Sequence, residues 1–136
     1  MFKLIKILNS GINVPEFERI PVSDGVDYTV GMAISAAAGA AASCTASTAP
    51  THICAQMLAA GEKDSVLCYP VSPDMIFEAP ISASPIGLKV GAKLTLAIDA
   101  RARAYGVTAT TSGGVATVVD TCGAAAIGDK IAVRFA

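Results

Sequence analysis

His52 is the sole histidine of this 136-residue sequence, so any Ser-His-Asp or Cys-His arrangement would have to use it as the base. It stands in Pro50-Thr51-His52-Ile53-Cys54, a strand-like run with no nucleophile motif beside it. That context predicts a structural histidine. The close carboxylate pairs, Asp24 with Asp27, Glu62 with Asp64 and Glu16 with Glu18, fall in turn-like, solvated contexts. Carboxylates so placed read as solvated surface groups and not as a general acid and base pair. Neither Thr111-Ser112-Gly113-Gly114 nor Gly87-Leu88-Lys89-Val90-Gly91 ends in the Gly-Lys-Ser/Thr that cradles a phosphate. Cys44, Cys54, Cys68 and Cys122 form no Cys-x-x-Cys pair, and His52 has no second histidine at ligand spacing. They read as free, buried thiols acting as small hydrophobes. The expectation is a protein that is not an enzyme and has no cofactor or metal site.

The elements that would carry these residues show a two-residue period wherever large side chains occur. Lys3–Leu8, Asp64–Val71, Met75–Ile81, Lys93–Ile98, Val115–Val119 and Lys130–Phe135 are short, β-branched or aromatic, and bounded by Gly, Pro, Asp or Ser. Seven prolines and 12 glycines are spread along the chain, not pooled in a linker. The pattern predicts an all-β fold, a small β-barrel or sandwich of short antiparallel strands. Ala36–Ala42 is rich in helix formers but contains Gly39 and no capping box, and reads as a turn between two strands. Ala60-Gly61-Glu62-Lys63, Val90-Gly91-Ala92-Lys93 and Ile127-Gly128-Asp129-Lys130 repeat apolar-Gly-x-Lys before an apolar run. The glycine supplies a left-handed turn residue, and the lysine holds its charge in water over an apolar stem.

The first 25 residues break this pattern. Pro15 and Pro21, interleaved with Ile12, Val14, Phe17 and Ile20, predict an extended N-terminal arm over residues 1–25 ahead of a β-rich domain over 26–136. Such an arm either folds back on its own domain or lies on a neighbour by strand addition, and the neighbour is the simpler place for its apolar residues, with Phe2, Leu4, Ile5, Ile7, Val14 and Phe17 as the contacts. Charge is segregated as well. Residues 21–80 carry a net −5 and residues 81–136 a net +3, opposed halves that can set register between neighbouring copies. Arg101 and Arg103, one strand-step apart, would point the same way, onto a solvated strand face or toward an acidic partner surface.

Composition narrows the classes further. Hydrophobic residues make up 53%, yet aromatics only 5% and charged residues 15%, while alanine alone supplies 26 residues. With a net charge of −1, a polybasic nucleic-acid binder is excluded, and so is a coiled coil. The uncharged stretch between Asp27 and Glu62 holds too few Leu, Ile, Val or Phe for a membrane span. Met1–Leu8 is too short and too basic for a signal sequence, which makes the cytosol the expected site of synthesis.

The runs Ser72–Ser82, Leu88–Lys93, Gly106–Thr111 and Ala126–Phe135, with Lys3–Lys6, Asn9–Gly11 and Val14–Phe17 at the start, resemble the head decoration (capsid cement) proteins of tailed bacteriophages. The Ala-rich stretch Ala33–Ala49 departs from that pattern. The resemblance implies a β-rich virion protein on the outer capsid surface. It would bind the major capsid protein and other copies of itself, often as trimers, and strengthen the shell without nucleic-acid or membrane contact. The alternative is a head-fibre or tail component that attaches to a host or to carbohydrate, though three tyrosines and no tryptophan supply little stacking surface.

Overall fold

Alternating small and β-branched side chains let two sheets approach closely, and in the computed structural model they do so across a core rich in alanine. The structure describes residues 1–8 and 15–135. Twelve strands run in the order β1 (Lys3–Ile7), β2 (Glu18–Pro21), β3 (Ala33–Ser35), β4 (Ala42–Ser43), β5 (His52–Cys54), β6 (Ser65–Pro70), β7 (Met75–Pro80), β8 (Lys93–Leu94), β9 (Leu96–Ile98), β10 (Ala104–Val107), β11 (Ala116–Asp120) and β12 (Lys130–Arg134). One sheet has the order β1-β7-β12-β11-β8; the other runs β2-β6-β5-β3-β10-β9, with β4 also paired to β3. The fold is all-β, as expected, and of the two architectures foreseen it is the sandwich and not a closed barrel.

The main core lies between the sheets. Phe2, Phe77 and Phe135 meet with ring centroids 5.2 and 5.3 Å apart, and Tyr69 stacks on Phe77 at 6.4 Å. Four of the chain's seven aromatic rings are thus gathered at one place, which compensates for their scarcity. Elsewhere in this core Ala33, Ala79, Ala104 and Ala116 are fully buried among Ile, Leu and Val side chains. A second, smaller core on the outer face of the seven-stranded sheet holds Tyr28, Met32, Ile34, Cys54, Val66 and Cys68. The Tyr28 hydroxyl donates to the Ala41 carbonyl oxygen and accepts from Ser23 N–H, anchoring the loops that cover this face.

The run expected as one strand over 93–98 is two. At Thr95 the chain leaves the five-stranded sheet at β8 and enters the other at β9. Thr95 is buried and satisfied: its N–H reaches Thr110 O, its carbonyl accepts from Thr108 N–H, and its hydroxyl meets that of Thr108 at 2.6 Å. A strand that changes sheets in this way makes a corner of the sandwich. The expected turn over 36–42 is present between β3 and β4, closed by Gly39 N–H to Ala36 O. The uncharged stretch between Asp27 and Glu62 contributes β3, β4 and β5. No helix among the described residues is long and apolar enough to cross a membrane.

Of the two places open to the N-terminal arm, the structure shows its described residues on the chain's own sheets, where a neighbour was expected. Residues 3–7 form β1, paired antiparallel to β7 with Leu4 opposite Phe77 and Ile7 opposite Met75, and residues 18–21 form β2, paired to β6. Both are edge strands of the chain's own sheets. Phe2 is 1% exposed. The turn at Thr29–Gly31 offers it a place: Phe2 N–H donates to Gly31 O, and Gly31, at φ +81°, leaves room for Met1 and Phe2 that a side chain would fill. Of the apolar residues that suggested a neighbour, Phe2 is buried within the same chain and Leu4, Ile7 and Ile20 are partly buried there.

Candidate protein-contact surface

Each strand of the β1-β7-β12-β11-β8 sheet turns alternate side chains away from the core. On β12, Ile131 and Val133 face inward, so Lys130, Ala132 and Arg134 face outward; on β7 the outward set is Ile76, Glu78 and Pro80. Pairing then builds rows across the outer face. Lys3 lies opposite Glu78, Glu78 opposite Ala132, and Ala132 opposite Asp120. A neighbouring row sets Lys6 opposite Ile76 on one side and Arg134 opposite Thr117, itself opposite Lys93, on the other. Bulges in β1 and β11 add Ile5 and Val119 to this face.

The outcome is a shallow groove of about 530 Å³ lined by Ile5, Ile76, Val90 and Val119 and bordered by Lys6 and Arg134. Ile5 is 44% and Val90 66% exposed. Five cations stand on or beside the face against Glu78 and Asp120. Glu78 is held by Lys130 at 3.5 Å, and among the described residues no ion pair neutralises Lys3, Lys6, Lys93 or Arg134. Exposed apolar surface with a charged border is the composition of a protein contact. The opposite side of the sandwich is acidic: Asp24, Glu62 and Asp64 are exposed on the loops that cover the second core.

The residues expected to contact a partner are distributed differently from the expectation. Phe2 is core, and Leu4 and Ile7 are partly buried against the core. Ile5 is in the groove. Phe17 is 52% exposed and sits edge-on to Tyr69 at 6.0 Å, away from this face. Val14 lies outside the described residues. Arg101 and Arg103 are not strand neighbours on one face, because residues 99–103 form the turn between β9 and β10, with Ala102 at φ 59°. Arg103 pairs with Asp99 at 2.9 Å, while Arg101 reaches Asp27 at 3.9 Å. The groove-lining residues of β7, β11 and β12 were missed. Their sequence signal was the basic residue at both outward ends of Lys130-Ile131-Ala132-Val133-Arg134, but only strand pairing reveals that they converge.

The chemistry-bearing side chains are engaged in structure. His52 places Nε2 against Glu18 Oε1 and Nδ1 at 2.9 Å from Thr51 Oγ1. Among the described residues no three His, Cys, Asp or Glu side chains gather as metal ligands would. Cys44, Cys54 and Cys68 are buried free thiols as expected; Cys122 is exposed, because it occupies a turn at φ 52° after β11, which corrects the reading of all four as buried.

Asp99 organises the β9–β10 turn. Burial pushes its carboxyl up, but the backbone N–H groups of Arg103 and Arg101, with the Arg103 guanidinium, outweigh that and hold it below the usual carboxylate range. A carboxyl whose native pKa is depressed stabilises the fold fully above its unfolded value, near pH 4, and loses that contribution as the pH falls through its lower native value. Asp99→Asn should therefore unfold at lower urea than wild type at pH 7, by about 1 kcal/mol. The gap should narrow when the same titration is run near pH 2. An equal gap at both pH values would show that the carboxylate charge contributes nothing.

Comparison of the chain with protein-family models, curated proteins and solved structures gives no match.

Proposed function

We propose that this protein is a structural virion component of the capsid-decoration kind. It binds the outer surface of a phage shell and bridges neighbouring shell subunits. The observation that carries this reading is the apolar groove between unneutralised cations on the outer face of the five-stranded sheet. A flat sheet face with recessed Ile76 and exposed Ile5 and Val90 suits a broad protein contact. Its cations favour an acidic shell surface and would speed encounter. The acidic loops on the far side give a second copy a complementary face, which supports contacts between copies in a trimer. The sequence resemblance to decoration proteins adds the shell as partner and the virion exterior as location.

The test is sedimentation of particles from cells producing the tagged full chain, with negative-stain micrographs of the pellet. The protein should travel with shells at a fixed ratio to the shell protein and be stripped or labelled from outside. The double substitution Lys6→Glu and Arg134→Glu should lower its occupancy about tenfold at limiting concentration, while circular dichroism stays that of a β fold. A chain that sediments with no particle, or a double variant that coats shells as wild type does, would overturn the reading.

A further inference from the structure

We infer that Cys54 and Cys68 are a site of reversible oxidation, forming a cross-strand disulfide when the protein meets a peroxide. The inference concerns the seven-stranded sheet and does not depend on the identity of any partner.

Cys54 of β5 lies directly opposite Cys68 of β6. The backbone of Cys54 is turned the other way, toward the β3 side: its N–H donates to Met32 O and its carbonyl accepts from Gly31 N–H. The next residue, Ala55, donates to Leu67 O across the β5–β6 seam. Cys54 and Cys68 are therefore a non-hydrogen-bonded pair, the kind in which facing Cα atoms approach to about 4.5 Å. A disulfide spans Cα separations of about 4.4–6.8 Å, so the bond needs little backbone movement. Both side chains belong to the same small core, packed among Tyr28, Met32, Leu58 and Val66, and both are fully buried.

The thiols already interact. A hydrogen bond from Cys68 pulls the Cys54 thiol below its ordinary value, and the same partnership, with burial, pushes the Cys68 thiol up. Cys54 also lies 3.0 Å from Gln56 O. The facing pair sets one sulfur, once deprotonated, as the nucleophile and the other as the thiol that resolves it. Cys44 is the contrast: burial alone raises its thiol to about 12.

Hydrogen peroxide supplies the oxidising equivalents. The Cys54 thiolate, its proton released to solvent, attacks one peroxide oxygen. An S–O bond forms, the O–O bond breaks, and hydroxide leaves and is protonated to water. The Cys68 sulfur then attacks the Cys54 sulfur. The S–S bond forms, the S–O bond breaks, and the departing hydroxyl takes the Cys68 proton as a second water. In sum two thiols lose two hydrogens, and one peroxide is reduced to two waters. The bond joins two central strands of the seven-stranded sheet and closes the loop over residues 55–67, a clamp open in a reducing cytosol and shut outside it.

The experiment treats the full chain carrying Cys122→Ser, which removes the exposed thiol, with stoichiometric hydrogen peroxide. Free thiols are then alkylated in denaturant and counted by mass, with and without a phosphine reductant. Oxidation should remove two alkylation sites, at Cys54 and Cys68, and the reductant should restore both. Peptides containing the two residues should be recovered linked. Added Cys44→Ala should leave the link in place, and added Cys68→Ser should abolish it. The inference is overturned if Cys54 and Cys68 stay fully alkylated in the treated protein, or if the lost sites are not restored by reductant. The count on the parent chain decides this even if a cysteine variant folds poorly.

Discussion

Replacing Phe2 with alanine is expected to destabilise the protein by about 3–5 kcal/mol, the range for truncating a fully buried aromatic side chain. The ring is 1% exposed and meets Phe135 edge-on at 5.2 Å, and Phe135 in turn packs on Phe77. Its removal opens a void at the aromatic centre of the core, where close packing lets the surrounding side chains relax only in part. Ile5→Ala, on the solvent side of β1, which Phe2 leads into, is expected to change stability by less than about 1 kcal/mol, because its side chain lies in the open groove. Urea titrations of the two variants separate the core role of β1 from its surface role. If Phe2→Ala costs no more than Ile5→Ala, the N-terminal segment is an arm that merely rests on the domain. The same logic predicts that deletion of residues 1–8 removes cooperative unfolding altogether, since β7 would lose one of its two partners and the core the Phe2 ring.

The contrast between these two positions shows what could be read from the chain. β1, β6, β7, β11 and β12 were legible because their alternation is strong and their residues β-branched or aromatic. The helix-prone run 36–42 was legible as a turn because of Gly39. β3 and β4 were hidden by alanine, which has no preference for a pleated surface and takes one only when neighbours supply the packing. β2 was hidden by its prolines, although Pro21 stands at the end of an edge strand, where a missing N–H is tolerated. Thr95 gave no sign of a change of sheet, since a threonine is equally at home inside a strand. The groove and the cysteine pair share one cause of invisibility. Lys6, Ile76 and Arg134 are brought together by pairing register alone, as are Cys54 and Cys68, and spacing along the chain does not encode it.

Gly114→Ala is expected to destabilise the fold by about 3 kcal/mol, the upper end of the range for overpacking. A Cβ at this position would stand 2.3 Å from Lys93 O, 2.4 Å from Lys93 C and 2.8 Å from Leu94 N. All three are backbone atoms of β8, so no rotamer change can relieve the clash. The residue lies just before β11, where Val115 N–H donates to Leu94 O, and the glycine lets the two chains close to hydrogen-bonding distance. Relief requires β8 to move away from β11, which would break the pairing of Ala116 with Leu94 and Thr117 with Lys93. That displacement would also disturb the Thr95 corner, where the chain passes between sheets, so the effect should extend beyond one edge. Gly61→Ala makes the control: a Cβ there meets nothing within 4 Å, and its strain comes only from a φ of +75°, worth about 1 kcal/mol. Hydrogen exchange should show the difference directly, with amides of β8 and β11 losing protection in Gly114→Ala and retaining it in Gly61→Ala. Equal protection of the β8–β11 seam in both variants would mean that this edge of the five-stranded sheet adjusts without leaving its partner.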